Sequence, residues 1–368
     1  MRIEIVGGGP AGLYFAILMK RLSPSHQVTI HERNRADDTF GWGVVFSDET
    51  LSNFEEADPE THGAITSRFA YWTDIDIIFR GQRIRSTGHG FAGISRHEFL
   101  HILQDRAAAL GVDLRFETEM DPEHLPEADL ILAADGANSR VRERFAAQFQ
   151  PSVDWRRCRF AWLGTDLKLD AFTFVFKENQ HGLFQVHAYP FDEHTSTFIV
   201  ECRTEVWRRA GLENADEAAT VAYMEELFRE ELRGHWLMTN RSFWRTFPTI
   251  RNATWRHGNV ALIGDAAHTA HFSIGSGTKL AMEDAIALAA AFSRLGTRDV
   301  PAVLAEYEAE RMPIVGRFQS AAQTSLEWFE NSARQARHLD PLTFAFSLMT
   351  RSKRITYDNL RARDPELV

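Results

Sequence analysis

Ile3-Glu4-Ile5-Val6-Gly7-Gly8-Gly9-Pro10-Ala11-Gly12 decides the fold of this chain. A mostly apolar strand runs into a Gly-x-Gly-x-x-Gly turn, and a helical run follows at once. Gly7 permits the tight turn, Gly9 lets the backbone approach a pyrophosphate, and Gly12 lets helix and strand pack closely. Ala11 falls where the helix opens, and the free N–H groups and positive dipole end there suit a phosphate. A second strand, Gln27-Val28-Thr29-Ile30-His31, leads into Glu32, twenty residues after Gly12, where a carboxylate is placed to hold a ribose. Strand, turn, helix, strand and acid in this order predict a dinucleotide-binding βαβ unit rather than a structural turn.

The 368 residues exceed one ordinary core and predict two closely packed domains; 44% hydrophobic and 25% charged residues are the proportions of a soluble globular protein. A net charge of −10 argues against a general nucleic-acid or anionic-membrane surface. No apolar run is long enough to span a bilayer, and nothing before the first strand reads as a signal peptide. Cys158 and Cys202 have no metal-type spacing, so a reducing, cytoplasmic setting and buried thiols are expected, with no metal site.

Two more segments belong to the same sheet. Ala128-Asp-Leu-Ile-Leu-Ala-Ala-Asp135-Gly136-Ala-Asn-Ser139-Arg-Val-Arg142 reads as a buried strand, an acid-Gly turn and a basic helix start. Asn259-Val-Ala-Leu-Ile-Gly264-Asp265-Ala-Ala-His268 is another buried strand; Gly275 and Gly277 then open a long apolar-periodic helix through Glu283 and Asp284. Three parallel strands with their C-terminal ends toward one ligand are expected. Between these motifs, from Arg159 to Glu201, apolar and polar residues alternate as in antiparallel strands with one buried face. The segment 75–85 is expected to add a hairpin, 217–233 reads as helical, and the chain from Lys279 onward is mostly helical. The fold expected is α/β: a Rossmann-type domain (1–70, 96–155 and 250–330) interleaved with an antiparallel sheet domain (71–95 and 156–249), with a helical C-terminal segment (331–368).

Together the first βαβ unit, Asp135-Gly-x-x-Ser139-x-Val-Arg142 and Gly264-Asp265-Ala-Ala-His268 resemble the single-component flavoprotein aromatic hydroxylases of the p-hydroxybenzoate hydroxylase type, in that family's order and over most of the chain. The resemblance implies FAD as cofactor, with Glu32 on the adenosine ribose and Arg33 beside it. It implies further cofactor contacts at Gly43, Val44, Arg96 and Gly136. Asp135 would link the FAD region to the approach of a nicotinamide donor, and Asp265 would accept hydrogen bonds from the flavin's sugar-alcohol chain. The turn through Gly275 and Gly277, with His271 and Phe272 before it, would form the reaction pocket and aim N–H groups at the isoalloxazine carbonyl edge. The family usually has prolines and an Asn where this chain has His271, Phe272 and Lys279, so the shape of that pocket departs from the pattern.

The strings Phe40-Gly-Trp-Gly-Val-Val-Phe-Ser47, Arg159-Phe-Ala-Trp162-Leu-Gly-Thr, His187-Ala-Tyr189, Ser196-Thr-Phe-Ile-Val-Glu201 and His271-Phe-Ser-Ile-Gly275 resemble the aryl-CoA monooxygenases, such as those acting on salicylyl-CoA and 2-aminobenzoyl-CoA. This implies that NADH or NADPH, binding transiently, reduces the FAD. Molecular oxygen then forms a C(4a)-hydroperoxide, which hydroxylates an aromatic ring at position 5 of a salicylyl thioester. Trp162, Phe184, His187 and Tyr189 are candidates for the aromatic pocket, although strand aromatics are commonly core and His187 suits either role. Arg83, Arg85 and Arg157, in the clusters 80/83/85 and 156/157/159, are candidates for the CoA phosphates, as is the cluster Arg351/Lys353/Arg354; solvated faces explain such clusters equally well. A homodimer is a further expectation. A hydroxylase of a free aromatic or indole-derived metabolite, a non-oxygenating FAD reductase and a decayed FAD-fold binding protein stay open, the last disfavoured by the intact glycine turn, Glu32 and Asp265. Gly88-His-Gly-Phe-Ala-Gly93 repeats the glycine spacing but follows a basic hairpin, so a connection into the Arg96 helix is the expected reading.

Overall fold

In the computed structural model, which describes residues 1–47, 52–353 and 355–367, the Ile3–Gly12 stretch forms the strand Arg2–Val6 and opens the helix Pro10–Leu22. The strand is central in a sheet ordered 256–257, 260–262, 130–133, 2–6, 27–31, 113–115, parallel throughout except at the 256–257 edge. Leu130–Ala133 and Val260–Leu262 are buried along their whole length because helices cover both faces. The loops after strands 2–6, 130–133 and 260–262 therefore leave the same edge, and this is where the glycine and acid motifs collect.

The second sheet is ordered 237–238, 151–165, 196–203, 182–190, 172–179, 75–79, 82–86, with Arg245–Asn252 pairing beside Pro151–Thr165. Its pleat sorts side chains strictly. Leu163, Phe184, Val186, Ala188, Phe198 and Val200 face one way and pack with Trp207, Met224 and Phe228 of the following helices. Phe160, Trp162, His187, Tyr189 and Ile199 face the other way, toward the first sheet.

The interleaving is finer than the expected boundaries. Pro151–Thr165 is one strand that runs through the 155/156 boundary, with a bulge between Trp155 and Arg159. The 75–86 hairpin joins the second sheet by a parallel pairing with Phe172–Asn179. Its flanks, Ala70–Trp72 and Phe91–Ser95, instead form a third small sheet with Gly43–Ser47. Gly88-to-Gly93 is a close-packed connection: a Cβ on Gly88 would stand 2.6 Å from Arg363 O, and one on Gly93 2.5 Å from Pro190 O. The C-terminal helices 341–349 and 357–363 close over Ile77, Phe79, Phe174 and Phe176. Among the described residues no helix is long and apolar enough to cross a membrane.

Candidate active site

One cavity of about 1000 Å³ runs from the glycine turn to the floor made by the second sheet. At one end, Gly7 has φ +105°, and a Cβ there would lie 2.3 Å from Ala134 O; at Gly12 it would lie 2.4 Å from Gly7 O. A Cβ on Gly9 meets nothing within 4 Å, so this glycine leaves room on the cavity side. Glu32 and Arg33 line the same end. The Glu32 carboxylate accepts from Gly8 N at 2.8 Å and from Asn34 N at 2.8 Å, fixing the turn and the loop beyond it together.

The middle of the cavity is lined by the acids Asp135 and Asp265 and by Arg96 and Arg140. Asp135 Oδ2 accepts from Arg140 N at 2.9 Å and Val141 N at 3.3 Å, while Oδ1 is buried without a partner. Burial pushes this carboxyl up, against the hydrogen bonds from Ser139 and Val141. Gly136, beside it, has φ +79° and open space where a Cβ would go. Arg142 reaches from this turn to Ala266 O at 3.0 Å and so ties two motifs into one rim. Asp265 projects openly into the cavity yet is crowded by protein on its other sides; desolvation raises its pKa, with His268 and Arg96 pulling it back. Desolvation likewise lowers the pKa of Arg96.

At the far end, Gly275 takes φ +62° and ends the turn Phe272–Ile274, and Gly277 begins the helix Gly277–Leu295. Neither this helix nor Pro10–Leu22 has a side-chain cap or an acid in its first turn, and both N-termini face the cavity. Uncapped N–H groups at two helix ends, an unpartnered Asp135 oxygen, an open Asp265 and a glycine with room at Gly9 fit a long ligand with a diphosphate and a polyol, which is the chemistry of FAD. Glu32 would hold its ribose, the Gly7–Ala11 turn its diphosphate, Asp265 its polyol and the 275–277 turn its ring carbonyl edge.

Several expected residues sit elsewhere. Gly264 lies beneath the cavity at φ +59°, packed against Ala11 and Ala281. Gly43 lines the cavity, but its N–H and C=O are already held by Thr197 Oγ1 at 3.0 Å and Tyr189 OH at 2.9 Å; buried Val44 follows it on the wall. His271 is off the wall, buried behind Phe272 and 3.7 Å from Glu201 Oε1. His268 is likewise not a wall residue but bonds Asp284 at 2.6 Å. Phe184 is on the wrong face of its strand: one step of pleat turns it into the helix-covered core, against Tyr223. Arg83 and Arg85 are outside the cavity and spent on acids, Arg83 on Asp76 and Arg85 on Asp76, Asp74 and Asp170. Arg157 projects to solvent with its backbone N–H on Glu330. Arg351 is not a surface cation: it donates to Ser325 Oγ and Ser273 O, and burial brings its pKa to about 10. Arg354 lies outside the described residues.

The structure brings forward residues the motifs did not single out. Arg241 and Arg245 line the mouth of the cavity with Phe40, Trp155 and Phe243. They stand over Phe40 at 5.2 and 5.5 Å, whereas Arg159, in step with Leu163 along its strand, turns its side chain to the helix-covered face and stacks over Trp207 at 4.8 Å. The floor is aromatic: Phe160, Trp162, Phe172, Tyr189, Phe247 and Phe272, with His187 among them. A flat apolar ring and a cofactor beside it are what this arrangement accommodates.

Comparison with known proteins names the class. Residues 1–322 match the FAD binding domain family, and the chain belongs to it, within the FAD-dependent aromatic monooxygenases. Among its relatives, salicyloyl-CoA 5-hydroxylase of Streptomyces sp is 46% identical over the whole of this chain and 72% of its own length. The 3-hydroxy-4-methyl-anthranilyl-[aryl-carrier protein] 5-monooxygenase of Streptosporangium sibiricum is 36% identical over 89% of each chain. Of solved structures, 2-methyl-3-hydroxypyridine-5-carboxylic acid oxygenase superposes with a TM-score of 0.73 at 21% identity over 93% of this chain and 97% of that one, a likeness of fold. FAD is the cofactor, NAD(P)H is the usual electron donor of the family, and the substrate is aromatic.

Proposed function

We propose that this enzyme hydroxylates the ring of an aryl-CoA thioester, with salicyloyl-CoA and its 5-position as first candidate. The observation that supports the reading best is the division of one cavity into an aromatic floor and an arginine-bearing mouth. The ring of the substrate occupies the floor, and the phosphates of CoA meet Arg241 and Arg245 rather than Arg83, Arg85 and Arg157. Arg241 is partly engaged by Asp38 at 2.9 Å, whereas Arg245 has no carboxylate partner among the described residues. The exposed faces of Trp155 and Phe243 suit a nucleobase. Two relatives named for an aryl group on CoA or on a carrier protein support a substrate with such a handle.

Bound FAD supplies electron transfer from NAD(P)H and activation of molecular oxygen. The chain itself shapes and dries the floor, holds the ring in place and keeps the acid pair Asp135 and Asp265 toward the middle of the cavity. Turnover of salicyloyl-CoA and of free salicylate tests the reading. The thioester should be the better substrate, and Arg241→Ala or Arg245→Ala should raise its KM about tenfold at low salt while sparing kcat, with the difference shrinking as salt rises. Equal or better turnover of the free acid, or no response to either substitution, would sink the aryl-CoA assignment.

A further inference from the structure

Three buried polar atoms without a partner belong to side chains on the cavity wall: Asp135 Oδ1, Trp162 Nε1 and His187 Nδ1. Folded proteins usually pair such atoms, so on a cavity wall each is a point that a ligand group can satisfy. His187 differs from the other two in having a carboxylate directly behind it.

The pleat places Gln185 and His187 of one strand and Ile199 and Glu201 of its neighbour on the same face, with Gln185 opposite Glu201 and His187 opposite Ile199. Glu201 is 1% exposed. Its Oε2 accepts from Gln185 Nε2 at 2.9 Å and lies 3.1 Å from His187 Nε2. Burial alone would push this carboxyl up, but hydrogen bonds from His187 and His271 outweigh it and bring the group to about 2, so it is an anion at neutral pH. Burial pushes His187 down against the pull of Glu201, and His271 and Arg351 add to the lowering. A neutral imidazole that gives its Nε2–H to a carboxylate keeps a lone pair on Nδ1. The rings around it, Phe329 at 4.5 Å, Phe272 at 5.3 Å and Phe174 at 5.4 Å, offer that lone pair no donor.

We infer that His187 is the base that takes the proton of a ring hydroxyl on the substrate, and that Glu201 positions it. The inference rests on the proposed substrate lying on this floor. The O–H proton moves to Nδ1, its electron pair stays on the ring oxygen, and the imidazolium formed is stabilised by the Glu201 carboxylate. The ring is then more electron-rich para to that oxygen, the position that forms the new C–O bond as the O–O bond of the oxygen activated with FAD breaks. As the product regains aromaticity, the C–H proton released at that carbon offsets the one taken up as the second oxygen atom leaves as water, and the ring oxygen recovers its proton from Nδ1. On the same floor, Trp162 is joined to His187 through Ile199, its pairing partner on the strand between them. Its free Nε1–H is a donor that an acceptor on the substrate, such as a thioester carbonyl, would satisfy.

His187→Gln keeps an N–H for Glu201 and removes the Nδ1 lone pair; Glu201→Gln leaves the imidazole and removes what fixes it. The FAD-loaded wild type and both variants are compared with salicyloyl-CoA and with salicylate, reading FAD content, Tm, ligand affinity, the phenolate absorbance of bound ligand and kcat. Wild type should bind its ligand as phenolate. His187→Gln should bind it within a few-fold but as the phenol, with kcat lower by about 10²–10⁴, and Glu201→Gln should fall between. Nitrogen-15 NMR of the ligand-free wild type should show the proton of His187 on Nε2, a readout that stands even if His187→Gln fails to fold. A proton on Nδ1, or a folded His187→Gln enzyme with unchanged phenolate signal and kcat, overturns the base while leaving the substrate reading intact. Failure of wild type to bind either probe overturns both.

Discussion

Arg311 donates its Nε–H to Asp284 Oδ1 at 2.8 Å in a contact closed to solvent, while the other oxygen of that carboxylate meets His268 Nε2 at 2.6 Å and Gly264 N at 3.2 Å. Burial would raise the carboxyl of Asp284, but His268 and Arg311 hold it low. One anion thereby fixes the backbone from which Asp265 projects. Removing one partner of such a set leaves a buried charge uncompensated, so Arg311→Met should destabilise the protein by about 3–5 kcal/mol and lower FAD retention. Chemical denaturation and FAD content after gel filtration check this, and an Arg311→Met enzyme as stable as wild type would refute it.

Gly7 and Gly136 both have positive φ but differ in surroundings. Gly7→Ala drives a Cβ into Ala134 O and should cost about 3 kcal/mol or more and abolish FAD binding. Gly136→Ala meets open space and should cost only about 1–2 kcal/mol, the left-handed strain alone. Thermal melts of the two variants side by side decide the point.

Asp265→Ala and Glu32→Ala should both lower FAD retention, and with it the Tm, since a ligand that binds only the folded state stabilises it. The two should part in the FAD-free protein. Glu32 also holds Gly8 and Asn34, so its loss should lower the Tm of the apoprotein, whereas Asp265, raised by desolvation, should leave the apoprotein equal or better. Titration with FAD and melts of both forms provide the comparison.

His89 is buried beside Ser86, with burial the main cause and Arg363 a further one of a pKa lowered to about 4. Unfolded, this imidazole takes a proton near pH 6.5; folded, it resists until about 4. Its contribution is therefore complete above pH 6.5 and is lost as pH falls from 6.5 to 4, about 3 kcal/mol in all. Denaturation midpoints from pH 7.5 to 4.5 should fall more steeply for wild type than for His89→Gln, with part of the slope remaining because His187 is lowered too. Parallel slopes would show that His89 is not responsible.

The sequence alone determined the FAD side of this protein. Each of its motifs is a strand and the turn that follows, and the positive φ of Gly7 and Gly275 is local backbone geometry, whereas the close approach of Ala134 to Gly7 comes from the neighbouring strand's loop. That strands 2–6, 130–133 and 260–262 share one parallel sheet follows from their apolar runs; their order in it comes from the structure. A charged residue in an apolar stretch also carried a signal: Glu201 lies within a strand of buried residues, and Asp284 stands on the buried side of the Gly277–Leu295 helix. What neither could disclose was the partner, because His187, His271, Arg311 and His268 reach them from other elements. Tertiary structure alone decided the substrate side. Alternation along 182–190 shows two faces but not which one meets the cavity, so Phe184 and His187 could exchange roles until the sheet was placed against the first. It likewise decided which arginines are free. Arg83 and Arg85 are neutralised by Asp74, Asp76 and Asp170 across a hairpin and a neighbouring loop, while the pairing of 245–252 beside 151–165 sets Arg245 opposite Phe160 and brings it to the mouth. Charge is written in the sequence, but whether it is already compensated depends on contacts between residues far apart in it.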